Sequence, residues 1–178
     1  MTIFTIGHST RTLEAFQGLL RAHGVAQLAD VRTVPKSRRH PHFAGEALSR
    51  SLPEAGVAYR HVAALGGLRK PRRDSRNTGW RHESFRGYAD HMQTPAFQDA
   101  LDDLIAWSGG GATAIMCAEA VWWQCHRQLI ADALAARGIA VRHIMSAASA
   151  PPHALTSFAR VDNGRVTYPG PLGMGIGD

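Results

Sequence analysis

The segment Met116–Arg127 concentrates side chains able to do chemistry: Cys117, Glu119, Cys125, His126 and Arg127, with Trp122 and Trp123 between them. Its apolar start predicts a strand that delivers Cys117 to the end of a sheet, and a helix is expected to open near Gln124 or Cys125. A helix N-terminus carries about half a positive charge and unpaired N–H groups. Those groups, with Arg127 and Arg32, would bind an anion and lower the pKa of a nearby thiol. Cys117 is then the candidate nucleophile, with Glu119 or His126 moving protons. The two cysteines equally suit a packed core, because free Cys is among the most buried residue types. Cys117, Glu119, Cys125 and His126 lack a C-x-x-C pair or a tight Cys/His knuckle, so no metal is expected. Trp122 and Trp123 suit packing, or stacking on a nucleobase beside an anion site.

The layout follows the logic of strand–cysteine–loop–helix phosphatases and sulfurtransferases. Position 123, six residues after Cys117, is nevertheless Trp where a phosphatase loop needs Arg. A phosphatase is excluded on that ground. A second segment, Asp30–Phe43, carries Arg32, Lys36, Arg38, Arg39, His40 and His42, stiffened by Pro35 and Pro41. Its cations can cradle phosphate oxygens, and Asp30 can orient Arg32 or act as a base. An exposed loop whose turn is held by an Asp30–Arg32 pair is the plainer reading. The candidate catalytic set is therefore Cys117, Glu119, His126 and Asp30. The candidate anion-binding set is His8, Ser9, Arg32, Arg38, Arg39, Arg69 and Arg127.

The elements that must position these residues alternate between strand and helix. Ile3–Ile6, Val25–Val31, Val57–His61, Thr113–Cys117 and Ile139–Ile144 read as strands. A helix capped by Thr12 ends at Gly24, and a short one covers Gly45 to Ala55. Two more cover Glu83–Met92 and the stretch opened by Thr94-Pro95, and a last one covers Gln124–Arg137. Asn163-Gly164 predicts a hairpin, and Leu65–His82 is a long irregular stretch of the kind that is functional or disordered. The expected fold is a single three-layer α/β domain over residues 1–145, with a mainly parallel sheet of about five strands and helices on both faces. Residues 146–178 are expected to form a linker, a C-terminal hairpin appendage and a tail. In such a sheet, ligands bind beyond the carboxyl ends of the strands. Gly7-His8-Ser9, Asp30-Val31-Arg32, Arg60-His61, Cys117-Ala118-Glu119 and Arg142-His143 all fall there.

The chain has 178 residues, 44% of them hydrophobic and 19% charged, which is enough for a real core. Two Cys cannot staple a secreted mini-domain and read as reduced thiols of a cytoplasmic protein. No apolar run approaches the roughly 20 residues of a membrane span. The net charge of +6 is unevenly spread: residues 32–86 carry 13 Lys or Arg against 4 Asp or Glu, a local +9. Such a block attracts phosphates, nucleic acid or another anionic partner, or serves as a solvated basic face. Cofactor and oligomeric state leave no readable trace.

Thr5-Ile6-Gly7-His8-Ser9, Asp30-Val31-Arg32 with Pro35, Ser37, Arg38 and Pro41, and Leu65-Gly66-Gly67 with Arg69 together resemble the family known as domain of unknown function 488. Gly87-Tyr88-Ala89 and Cys117-Ala118-Glu119 with Cys125-His126-Arg127 fit the same pattern. The resemblance runs over roughly residues 3 to 144 and leaves the last thirty or so outside. It implies an α/β domain and a set of signature positions, without a reaction.

The residues thus point to an enzyme acting on a phosphate-bearing or other anionic substrate, plausibly a nucleotide or nucleic acid. Cys117 would be the nucleophile of a transferase or hydrolase. The alternative is a nucleic-acid-binding module without catalysis, built on the basic 32–86 block.

Overall fold

Strand β1 (Thr2–Gly7) turns Ile3 and Thr5 to one face and Ile6 to the other, and this two-residue period organises the whole molecule. The computed structural model describes residues 1–171. Helix α1 (Leu13–Ala22) leads to β2 (Gln27–Asp30), α2 (Gly45–Glu54) to β3 (Ala58–His61), and α3 (Glu83–His91) with α4 (Pro95–Ser108) to β4 (Thr113–Cys117). Helix α5 (Arg127–Ala136) then leads to β5 (Ala140–His143). These five strands form one parallel sheet in the order β3-β2-β4-β1-β5. Phe16, Leu19 and Leu20 of α1 and Leu48 and Leu52 of α2 cover the face carrying Ile6, Leu28 and Met116. Helices α3, α4 and α5 cover the face carrying Ile3, Ala29, Ile115 and Val141. The expected three-layer α/β fold is the one observed.

Local chemistry explains the helix starts. Thr12 Oγ1 accepts from the Ala15 N–H at 3.1 Å, and Thr94 Oγ1 accepts from the Phe97 N–H at 3.3 Å ahead of Pro95. The start of α5 differs from expectation. Trp122–Gln124 forms a single 3-10 turn and Cys125 is extended, so the helix opens only at Arg127 with His126 as its cap. The long segment 65–82 contains no α-helix or strand, and a buried carboxylate orders it. Asp90 of α3 accepts from the Arg72 N–H at 2.8 Å, Ser75 Oγ at 2.6 Å and Asn77 Nδ2 at 2.8 Å.

The C-terminal segment packs back on the sheet. Pro152 bridges Arg142 in antiparallel sense, which covers the outer edge of β5. A hairpin of β6 (Arg160–Asp162) and β7 (Arg165–Thr167) follows, with Asn163 at φ 49° and Gly164 at φ 75° as its two-residue turn. Val166 and Tyr168 enter the core beneath α5. Of the expected tail, residues 172–178 lie outside the described residues. No helix among the described residues is long and apolar enough to cross a membrane.

Candidate functional site

Strand register decides which polar residues meet. Gly7 of β1 pairs with Cys117 of β4, and Thr5 of β1 pairs with His143 of β5. Thr5 and Cys117 share the face covered by α5, whose first residue is Arg127. Its side chain runs down onto them. Nε donates to Cys117 Sγ at 2.9 Å, Nη1 to Thr5 Oγ1 at 3.2 Å, and Nη2 to the Glu119 carbonyl at 2.7 Å. Arg127 is 1% exposed, yet none of the ion pairs among the described residues includes it. A buried guanidinium without a carboxylate needs another anion. The thiols are the acidic groups beside it.

The main chain is fitted closely around this contact. A Cβ on Gly7 would lie 1.7 Å from the Glu119 carbonyl oxygen that holds Arg127. Gly7→Ala should therefore push the 118–119 loop off β1. The expected cost is on the order of 1–3 kcal/mol or more, read as a lower urea midpoint, and Arg127 loses an acceptor as well.

Cys117 and Cys125 are pushed in opposite directions. Burial, followed by the hydrogen bond and charge of Cys125, pushes the Cys117 thiol well above the usual range. Burial also opposes charge on Cys125. The hydrogen bond from Cys117, the guanidinium of Arg127 and the Arg127 backbone N–H outweigh it, and the Cys125 pKa falls to about 7. Of the pair, Cys125 is the thiol drawn down and Cys117 the one pushed up, although the Arg127 Nε contact is made to Cys117. His126 Nε2 lies 2.7 Å from the Val31 carbonyl and must donate to it, which leaves the Nδ1 lone pair facing Cys125 Sγ at 3.3 Å. Burial, with the charges of Arg127 and Arg69, holds His126 below its ordinary pKa. It is a neutral base beside an acidic thiol.

Both thiols lie at the bottom of a cleft of about 610 Å³. Phe85, Tyr88 and Trp123 form its aromatic walls, and Val34 and Leu68 its apolar lip. Lys36, His82 and Glu119 add polar groups. The loops leaving β2 and β3, which carry the basic block, therefore form one side of the cleft that holds the sulfurs.

The candidate residues divide accordingly. Cys117, Glu119, His126 and Arg32 line the cleft. Arg127 is not among the residues that line the cleft; it stands behind Cys117, with bonds to Cys117, Thr5 and the Glu119 carbonyl. Arg32 donates from Nε and Nη2 to the two oxygens of Asp30, at 2.8 and 2.6 Å, and to the Phe43 carbonyl at 2.8 Å. Asp30 also accepts from Tyr59 at 2.6 Å, is fully buried and is not among the residues that line the cleft. His8 is buried, stacked on Phe43 with centroids 4.4 Å apart, and bonded to the Ser9 carbonyl at 2.9 Å. Neither His8 nor Ser9 lines the cleft. Arg38 and Arg39 are exposed on the 33–43 loop. Arg69 turns to the Gly66 and Ala63 carbonyls at 3.2 and 3.4 Å.

The candidate sets omitted Cys125, Tyr88 and Phe85. Only Cys125 had a readable signal, its place just ahead of a helix. Among the described residues, no group of three or more His, Cys, Asp or Glu is placed to hold a metal ion.

A family model described as "Domain of unknown function DUF488" matches residues 12–134. That span takes in β2 to β4, the cleft and most of α5, and stops short of β5 and the C-terminal segment. No curated protein and no solved structure matches the chain.

Proposed function

The chain belongs to the DUF488 family, and from its site we propose a cysteine-dependent transferase or hydrolase that uses Cys125 as nucleophile on an anionic, ring-bearing substrate such as a nucleotide. The observation that carries this reading is Arg127, a buried guanidinium whose charge is answered by a thiol pair instead of a carboxylate. His126 Nδ1 takes the Cys125 proton, and the thiolate forms a bond to the transferred group. The leaving group departs with the proton that His126 returns to it. Water or a second acceptor then takes the group from sulfur and restores the thiol. Glu119, at the cleft wall, is the residue available to activate that acceptor. Aromatic walls suit a flat ring, and Lys36 with the nearby Arg38 and Arg39 suits a phosphate.

Alkylation by iodoacetamide at pH 7 followed by peptide mapping tests this. A thiol of pKa near 7 is about half ionised there, against about 3% for an ordinary Cys. The ionised fraction of Cys125 should therefore be roughly fifteen times that of a free thiol, so Cys125 should be labelled well ahead of Cys117, and nucleoside monophosphates should protect. Equal, slow labelling of both thiols overturns the nucleophile.

Exposed cations favour a second reading, a module that binds nucleic acid. Lys36, Arg38 and Arg39 are exposed and belong to no ion pair among the described residues. On duplex DNA that reading requires the log of affinity to fall with log salt at about −0.9 per phosphate neutralised. Binding with a flat salt response, or none, removes it.

A further inference from the structure

Behind Arg127 runs a second set of polar residues that the cleft does not use. Thr5 Oγ1 lies 2.7 Å from His143 Nδ1, His143 Nε2 lies 2.9 Å from His153 Nδ1, and His153 Nε2 lies 2.7 Å from Asp132 Oδ1. All four residues are deeply buried: Thr5 and Asp132 are 0% exposed, His143 1%, and the His153 side chain 1%.

The hydrogens in this chain can be assigned. Thr5 Oγ1 accepts from Arg127, so its own hydrogen goes to the one acceptor beside it, His143 Nδ1. Burial, with the charge of Arg127, holds His143 well below its ordinary value, so its ring is neutral. Its Nε2 therefore carries the single hydrogen and donates it to His153 Nδ1. That leaves His153 to donate from Nε2 to Asp132. The carboxylate accepts three further bonds: the Thr156 N–H at 3.0 Å, the Thr156 hydroxyl at 2.7 Å and the Tyr168 hydroxyl at 2.7 Å. Four donors on two oxygens fix Asp132 as the ionised end. Every bond from Arg127 to Asp132 points the same way.

We infer that Asp132, His153, His143 and Thr5 form a one-way hydrogen-bond chain that orients Arg127 on the Cys117–Cys125 pair, so that the C-terminal segment supplies positioning residues to the site. His153, Thr156 and Tyr168 lie beyond the 12–134 family match, as do His143 and the strand that carries it. Trp122, stacked on His143 with centroids 4.1 Å apart and planes at 6°, joins the chain to the turn just before Cys125. The inference rests on the thiol reading for its effect on chemistry. The direction of the hydrogens does not depend on it.

The full-length protein tests both parts. Long-range ¹⁵N–¹H spectra of the imidazoles should show the ring hydrogen of His143 on Nε2, facing His153, and that of His153 on Nε2, facing Asp132. An Nδ1–H form of either ring overturns the chain. The second measurement is the pH profile of Cys125 alkylation in wild type, Thr5→Val, Thr5→Ser and Asp132→Asn. The titratable and charged groups around the thiols are Arg127 and His126 of the 126–127 start, Tyr88 of α3, and Arg32, Lys36, His82 and Glu119 of the cleft lining. All are unchanged in these variants. Thr5→Val removes the hydroxyl while keeping the shape, and Asp132→Asn removes the charge while keeping an acceptor. Both should move the profile upward and slow alkylation at pH 7 by about two- to five-fold, the range of a half to one pKa unit for a thiol that starts near 7. Thr5→Ser should behave as wild type. Unmoved profiles in Thr5→Val and Asp132→Asn, when wild type titrates near 7, overturn the positioning role. A wild-type profile near that of a free thiol instead overturns the reading of Cys125 as nucleophile, and the spectra still decide the chain.

Discussion

Replacing Arg127 with Met is expected to return Cys125 to the ordinary thiol range or above it, and to slow its alkylation at pH 7 by at least about ten-fold. The physical reason is that burial alone raises a thiol pKa, and Cys125 is 5% exposed. The Cys117 hydrogen bond, the guanidinium and the Arg127 N–H act against burial. Met fills a similar volume, so the core keeps its packing while the charge leaves. Arg127→Lys should not restore the profile. An ammonium on a flexible stem cannot reach Cys117, Thr5 and the Glu119 carbonyl together in the planar pattern that the guanidinium uses. An alkylation profile in Arg127→Met unchanged from wild type would show that the buried cation does not set the thiol's acidity.

A second large effect is the pH dependence of folding. Cys125 has a folded pKa of about 7, below the roughly 8.5 of an unfolded chain. A group depressed in this way contributes stability that is fully present above about pH 8.5 and is lost as pH falls through about 7. Stability should therefore rise between about pH 7 and 8.5, by about 2 kcal/mol at most. Above that window Cys117 reverses the trend, because its folded pKa is raised and the unfolded thiol ionises first. His8, His91, His126 and His143, all held below their ordinary values, weaken the fold only below about pH 6.5. Urea midpoints across pH 6.5 to 9.5 should peak near 8.5, and Cys125→Ser should remove the rise. A flat or falling midpoint from 7 to 8.5 in wild type contradicts the lowered Cys125 pKa.

Much of the architecture was legible in the order of the residues. The two-residue period of Ile3–Ile6, the caps at Thr12 and Thr94, and the Asn163-Gly164 turn are local signals, and each forms the element it predicts. The convergence of strand ends also followed, since parallel strands must present their carboxyl ends together. What the sequence could not carry was the face on which each side chain turns. Arg127 reads as a ligand clamp until its helix is seen to lie over Thr5 and Cys117. Arg32 reads the same way until Asp30 and the Phe43 carbonyl are found to engage it. Cys125 and Cys117 are drawn apart by the hydrogen bond between them and by the guanidinium and N–H of Arg127, whose placement is a matter of where α5 starts within two residues. His153 lay in what read as an appendage of linker, hairpin and tail, and its partners Asp132 and His143 are brought to it by strand and helix packing across the chain. The +9 block, read at first as a charge balance, now has a place: its loops form one wall of the cleft that holds the sulfurs.

The most direct test of the account is the thiolate absorbance near 240 nm, followed from pH 5 to 10 in wild type, Cys117→Ser and Cys125→Ser. The account predicts one thiolate appearing with a midpoint at about 7, absent from Cys125→Ser, with the second thiol ionising only far above the range of a free Cys. Ser at position 117 still offers a hydroxyl to the sulfur, so the step survives there. A step near 7 that persists in Cys125→Ser, or no thiolate below the roughly 8.5 of free Cys, would contradict it.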